Sequence, residues 1–207
     1  MLIESIYQTA KHSPLKTALV HDGIPLSYAD FARRIEASRR HFAQQAIRPE
    51  STVVLAIDHL AHIWIHGIAL RSLGLTTICL PAGGDVTQLK LSTISSLLTM
   101  ADEKRPVSAA QVAQQGWKLL TAPMPPAPDA HGGNAPELPM PAHASGGHIL
   151  MTSGTTGSYK MILRSALADA STIALHTTIN EVSEHSVVYA GAFSKLTAGG
   201  YRWPLMT

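Results

Sequence analysis

The sequence predicts an α/β fold in which βαβ layers build a mostly parallel sheet, and three observations carry that prediction. Residues 52–57 (TVVLAI) form a β-branched run without polar–apolar alternation, the pattern of a strand covered on both faces. Residues 60–73 are apolar almost all round and read as a buried helix, with Gly74 where a helix-terminating glycine belongs. Residues 76–80 form a second buried strand, stopped by Pro81. Strand, helix and strand in this order make a βαβ unit with a right-handed crossover.

The remaining elements follow in order. Within residues 2–12, Leu2, Ile3, Ile6, Tyr7 and Ala10 recur at helical spacing, and Pro14 stops the pattern. Residues 17–20 and 24–28 read as two strands of a hairpin around His21-Asp22-Gly23. Ser27 or Asp30 caps a helix over residues 31–45. Its inner face is Phe31, Ile35, Phe42 and Ala46, and Arg33, Arg34, Glu36, Arg39 and Arg40 cover its outer face. Pro49-Glu50 turns the chain into the first buried strand. Residues 89–100 read as an amphipathic helix, and 112–120 as helix then strand.

Residues 121–147 hold seven of the 13 prolines and several glycines, a composition that packs no core and reads as a linker. It divides the chain into a first α/β subdomain (1–120) and the start of a second (148–207). In the second, Ile149-Leu150-Met151 reads as a buried strand. Ser165 caps a helix to about residue 178, with Ala166, Ala170, Ile173 and Ala174 facing inward, and 186–190 form a short strand.

Composition narrows the function classes. Hydrophobic residues are 45% and charged residues 14%, so the chain is expected to fold rather than stay disordered. A net charge of +2 without a basic run argues against nucleic acid as a partner. The single cysteine, Cys79, lies in an apolar run and reads as a buried thiol. The longest apolar window, residues 63–80, contains His66, Arg71 and Gly74 and is a costly membrane span. No basic region precedes the apolar N-terminus, so no signal peptide is expected and the predicted location is cytoplasmic.

Chemistry concentrates in one stretch. After the apolar run come Thr152, Ser153, Gly154, Thr155, Thr156 and Gly157, then Lys160 and a second apolar run, Met161-Ile162-Leu163. Glycines permit the backbone conformations that turn several N–H groups onto one anion, hydroxyls add donors, and the lysine adds a point charge. The stretch therefore predicts a phosphate-binding loop, most simply for a nucleotide. It is not a Walker A loop, because Tyr159 and Met161 flank Lys160 where that motif needs glycine and Ser or Thr. The dinucleotide fingerprint is absent as well.

The run from Thr152 to Gly157 followed by Lys160 resembles the signature of the adenylate-forming enzymes: acyl-CoA synthetases, peptide-synthetase adenylation domains and luciferases. That signature reads Thr-Ser-Gly-Thr-Thr-Gly, one variable residue, then Pro-Lys-Gly; here Tyr159 replaces the proline and Met161 the glycine. Leu26-Ser27-Tyr28-Ala29-Asp30-Phe31 resembles the family's Leu-Thr-Tyr-x-Glu-Leu. Leu70 to Gly74, with Ile78 to Pro81, resembles its Leu-Lys-Ala-Gly and following strand. The resemblance implies the N-terminal part of the family's large domain, left incomplete. It implies an AMP-forming ligase that activates a carboxylic acid with ATP and Mg²⁺ to an acyl-adenylate, then passes the acyl group to a thiol such as CoA or a carrier protein. By the same resemblance Thr152, Ser153, Thr155, Thr156 and Lys160 contact the β- and γ-phosphates, and Gly154 and Gly157 shape the loop.

The family's adenine, ribose and catalytic-lysine motifs have no counterpart in residues 1–207, and Lys195 stands where many members have histidine. No catalytic residue is therefore assigned, and these residues alone are expected to be inactive. An incomplete sheet is expected to expose apolar surface and to self-associate. The competing reading is a non-catalytic, degenerate homologue that binds nucleotide weakly or serves as an interaction module. His59, His62 and His66 share one predicted helical face; with no fourth ligand placed, they read as part of that face and no metal site is assigned. His131, His143 and His148, in or beside the linker, read as solvated.

Overall fold

The expected βαβ unit lies at the centre of a six-stranded sheet. The computed structural model describes residues 2–80, 85–101, 107–123, 146–152, 159–183, 185–188 and 201. Helix α1 (Leu2–His12) is followed by the antiparallel pair β1 (Thr17–His21) and β2 (Ile24–Ser27). Asp22 and Gly23, between the paired residues His21 and Ile24, have φ of 50° and 76°, as a two-residue type I′ turn requires. Ser27 caps α2 (Tyr28–Ala43) by accepting a hydrogen bond from the Asp30 amide at 3.2 Å.

The second sheet begins with β3 (Thr52–Ala56), α3 (Leu60–Ser72) and β4 (Thr76–Cys79), and β3 pairs in parallel with β4. Gly74 follows α3 with φ of 79°, the left-handed conformation expected there. Then come β5 (Ile94–Thr99), α4 (Ala109–Gln114), β6 (Lys118–Thr121), β7 (His148–Thr152), β8 (Lys160–Arg164) and α5 (Ala166–Ile179). The strand order is β6-β5-β3-β4-β7-β8, parallel throughout except for the antiparallel pair β7–β8. Strands β7 and β8 thus extend the sheet that the first half of the chain begins.

The alternation along β3 builds the two layers. Val53, Leu55 and Ile57 pack with α1, α2 and α3, while Val54 and Ala56 pack on the opposite face with Val86, Leu89 and Val112. All five are buried, and each large side chain contributes about 1.5–3 kcal/mol of transfer free energy. Cys79 is buried in β4, as expected. Among the described residues no helix is long and apolar enough to cross a membrane.

Several expectations are corrected. Residues 89–100 are not a helix: residues 94–99 form β5, parallel to β3 and β6. Thr93, Ile94, Ser95 and Ser96 disfavour a helix, and the leucine spacing around them suits a short buried strand as well as a helix. Residues 186–188 are not a strand. Ser183 and Ser186 close a turn on each other (Ser186 N to Ser183 O 3.0 Å, Ser183 N to Ser186 Oγ 2.9 Å), and Val187 is 94% exposed; residues 189–190 lie outside the described residues.

Glu36 is buried rather than on the outer face of α2. Arg39 Nε (2.7 Å), Arg39 Nη2 (2.8 Å) and Arg40 Nε (2.7 Å) all donate to its carboxylate, and the Tyr7 hydroxyl of α1 reaches it at 3.4 Å. Burial pushes that carboxyl up, but the two arginines outweigh it and hold it below its ordinary value. Ala46 lies beyond α2, with φ of 46°. In α5, Ala170 and Ala174 are exposed and Asp169 is buried, because Asp169 anchors the helix to α3 and turns its inner face. Exposed apolar surface is present at the β8 edge and on α5, at Ile162, Leu163, Leu167, Leu175 and Ile179.

Candidate functional site: the β7–β8 hairpin and its clamp

The predicted loop is the connection between two antiparallel strands. Ile149, Leu150 and Met151 are buried in β7, and Thr152 at its end pairs with Lys160 at the start of β8. Thr152 is half-buried and Lys160 exposed. Ser153, Gly154, Thr155, Thr156 and Gly157 lie outside the described residues. Because β7 runs parallel to β4, the loop leaves the sheet at the carboxyl end of the parallel strands. That is the side where open α/β sheets form their ligand crevices.

The two departures from the signature flank Lys160 and differ in their surroundings. Tyr159 is 36% exposed. Met161 is half-buried, sits opposite Met151 in the ladder and packs against the second core layer. A side chain packed against the core at this position anchors the strand immediately after Lys160, where a glycine would have left it looser.

The base of the hairpin, about 13 Å along β7 from Thr152, is held by a buried polar cluster. Gly146, just before β7, donates its amide to the Arg71 carbonyl (2.7 Å), and Arg71 Nε donates back to the Gly146 carbonyl (3.2 Å). Arg71 Nη2 forms an ion pair with Asp169 of α5 (2.8 Å), and both side chains are buried. Arg71 also donates to the Tyr201 hydroxyl, and that hydroxyl donates to Asp169. Arg164, the last residue of β8, donates to Asp169 (3.3 Å), the Ala168 carbonyl (2.9 Å) and the Thr172 hydroxyl.

His148 completes the cluster and is buried rather than solvated. It is the first residue of β7, its Nδ1 lies 2.8 Å from the Thr77 hydroxyl, and its ring stacks on Tyr201 at 4.4 Å. Pairing with β4 carries it into the sheet, which proximity to the proline-rich stretch conceals. Burial, with Arg71 nearby, pushes its imidazole down to about 3, so it is neutral near pH 7. Burial and the Asp169 charge push the Tyr201 phenol well above its ordinary value despite Arg71, so it remains a donor. Arg71, Asp169 and Tyr201 satisfy one another, as a structural clamp does.

Of the predicted site residues, the structure brings Thr152 and Lys160 together at the mouth of the hairpin. Sequence reasoning missed the clamp. Arg71 carries a signal, a charge inside an otherwise apolar helix, but from the sequence it marks only a cost to a membrane span and part of the Leu70–Gly74 resemblance. His59, His62 and His66 do lie along one side of α3, and they separate there. His66 is buried beside the Ser38 hydroxyl (Nδ1 at 3.0 Å), whereas His59 occupies the N-cap position at the surface, with its side chain making no capping bond. Burial, with His62 and His41 nearby, pushes His66 down to about 3.

No protein-family model and no curated protein matches the sequence. Solved structures do match. The N-terminal subdomain of NpsA from Klebsiella oxytoca, in complex with 3-hydroxybenzoyl-AMSN, superposes with a TM-score of 0.65 at 18% identity, over 100% of this chain and 50% of that one. The o-succinylbenzoate coenzyme A synthetase MenE from Bacillus subtilis, in complex with ATP and magnesium ion, gives 0.72 at 13% identity, over 97% and 53%. The N-terminal domain of FACL13 from Mycobacterium tuberculosis, bound to an inhibitor, gives 0.67 at 15% identity, over 99% and 54%. The chain therefore spans about half the length of these structures. With its mostly parallel sheet and its hairpin at the carboxyl edge, it has the fold of the N-terminal portion of the adenylate-forming enzymes.

Proposed function

We propose that the stretch from Thr152 to Lys160 grips the β- and γ-phosphates of ATP in an AMP-forming carboxylate ligase. In this reading a carboxylic acid and ATP give an acyl-adenylate and pyrophosphate, and the acyl group then passes to a thiol of CoA or a carrier protein. The observation that carries the reading is the placement of Thr152 and Lys160 as a facing pair at the carboxyl edge of the sheet. The fold shared with NpsA and with MenE, the latter solved with ATP and magnesium, supports it.

The chemistry asks for such a loop. Carboxylate attack on the α-phosphorus brings anions together, and the departing pyrophosphate carries increased charge. Lys160 is exposed at the mouth of the hairpin, so its ammonium can reach a phosphate without being drawn out of the core. Thr152, Ser153, Thr155 and Thr156 supply hydroxyl donors, and Gly154 and Gly157 let the backbone approach closely. This donor set fits a polyphosphate. Mg²⁺, when bound, neutralises phosphate charge, and the loop orients the phosphates it accompanies. The proposed organisation is a first subdomain over residues 1–120 and a second beginning at 148, with the loop at its start.

One observation favours a second reading, a non-catalytic degenerate homologue that binds nucleotide weakly or serves as an interaction module: Met161, half-buried, packs against the core where the signature has glycine. Two measurements separate the readings. ATP binding that Lys160→Ala weakens supports a phosphate grip in either case. Pyrophosphate exchange with a panel of carboxylic acids tests catalysis, and exchange above background would favour the ligase reading over the degenerate one. No nucleotide binding by the folded chain would overturn any phosphate-loop role.

A further inference from the structure

A second cluster of ligating groups lies where the tip of the β1–β2 hairpin meets the start of α3, and it uses none of the phosphate-loop residues. His21 ends β1, Asp22 is the first residue of the type I′ turn, and His59 is the N-cap of α3. The His21 and His59 rings lie 5.2 Å apart, edge to face, and His21 Nε2 is 3.5 Å from Asp22 Oδ2. One ligating atom from each of His21, Asp22 and His59 falls within 4.8 Å of the other two. The His59 side chain makes no capping hydrogen bond, so its imidazole is not spent on the helix. The His62 ring stands next to both, 5.8 Å from His59 and 6.3 Å from His21.

We infer that His21, Asp22 and His59 form a binding site for a borderline divalent transition metal ion, of the class of zinc, cobalt or nickel. Donors around a tetrahedral ion of this class lie about 2.0–2.2 Å from the metal, hence about 3.3 Å from one another. Closing from within 4.8 Å needs only side-chain rotation, and Asp22 and His59 are exposed and able to rotate. Two imidazoles and one carboxylate suit these ions, whereas calcium and magnesium prefer all-oxygen shells. Three protein ligands leave a fourth position for water or a nearby imidazole. The positive φ of Asp22 and Gly23 fixes the turn that points the carboxylate toward α3. The site joins the hairpin, which belongs to the small two-stranded sheet, to a helix of the large sheet, so the ion acts as a staple between them.

The test is titration of the metal-free chain with zinc chloride and, separately, cobalt chloride. The expected result is one saturable site, a cobalt absorption spectrum typical of tetrahedral coordination, and a higher melting temperature with zinc. His21→Ala and His59→Ala should each weaken binding at least about tenfold, the lower end of what loss of a supporting contact alone brings. Asp22→Asn, which tolerates the left-handed turn, should weaken it in the same direction while preserving the fold, as read by circular dichroism. His12→Ala, in an exposed histidine on α1, should change nothing. Absence of saturable binding, binding unaffected by both histidine substitutions, or an equal loss in His12→Ala would overturn the inference.

Discussion

The clamp at the base of the hairpin gives the sharpest stability prediction. Asp169 accepts from Arg71, Arg164 and Tyr201, and Arg71 is 7% exposed in its side chain and Asp169 4%. Asp169→Asn removes the negative charge that, among the described residues, faces the Arg71 and Arg164 guanidinium groups, while preserving size. Removing one partner of a buried ion pair costs about 3–5 kcal/mol, because the remaining charge is left uncompensated. Arg164, 22% exposed, can turn toward water, so its share is small. At about 2–4 °C per kcal/mol for a chain of this size, the melting temperature should fall by roughly 6–20 °C. Urea unfolding followed by tryptophan fluorescence reports the loss, since Trp64 stacks on Tyr201 at 5.6 Å. The double variant Arg71→Met, Asp169→Leu should recover much of it, giving a coupling of about 0.5–3 kcal/mol or more. If Asp169→Asn costs less than about 1 kcal/mol, or the two single losses simply add, the clamp does not hold the hairpin as described.

Two further predictions follow from burial. His66 and His148 are held near 3 in the folded chain, against an ordinary value of 6.5. Between those values the unfolded chain binds protons that the folded chain does not, so stability is full above about pH 6.5 and falls as pH drops, by about 1.4 kcal/mol per pH unit for each group. Thermal melts from about pH 7.5 to about pH 4.5 should show this decline beginning before carboxylates titrate, and a flat profile down to about pH 5 would contradict it. Gly146→Ala would place a Cβ 1.9 Å from the Leu75 carbonyl oxygen, so β7 must shift, at a cost of about 1–3 kcal/mol or more in urea unfolding. Gly67→Ala, whose Cβ meets only Leu55 Cδ1 at 3.6 Å, is the tolerated control; equal stability of the two variants would contradict the close approach at Gly146.

The parts legible in the sequence are those where local chemistry and tertiary demand agree. The β3–α3–β4 unit could be read because a β-branched run, an apolar helix and a terminating glycine each point to one structure. The caps Ser27 and Ser165 could be read because their hydroxyls act within three residues, each accepting an amide at 3.2 Å. Strand β5 was hidden because leucines spaced for a helix also fill a buried strand, and only its neighbours β3 and β6 decide between them. The clamp was hidden for a related reason. Arg71 and Asp169 are separated by 98 residues, and nothing local marks Gly146 or His148 as belonging to a core rather than to a linker. Glu36 looked like a surface charge until α1 covered it. At the candidate site, the buried strand before Thr152 was legible as an apolar run, while the facing of Thr152 and Lys160 needed the pairing of β7 with β8.

Calorimetric titration of the folded chain with ATP and Mg²⁺, for the wild type and Lys160→Ala, tests the central claim most directly. If the loop grips the β- and γ-phosphates, ATP and inorganic pyrophosphate should bind at millimolar concentration or tighter. Lys160→Ala should weaken both by about tenfold, the equivalent of about 1.4 kcal/mol, and should leave AMP unaffected. Absence of ATP binding at millimolar concentration, or ATP binding indifferent to Lys160, would contradict the claim.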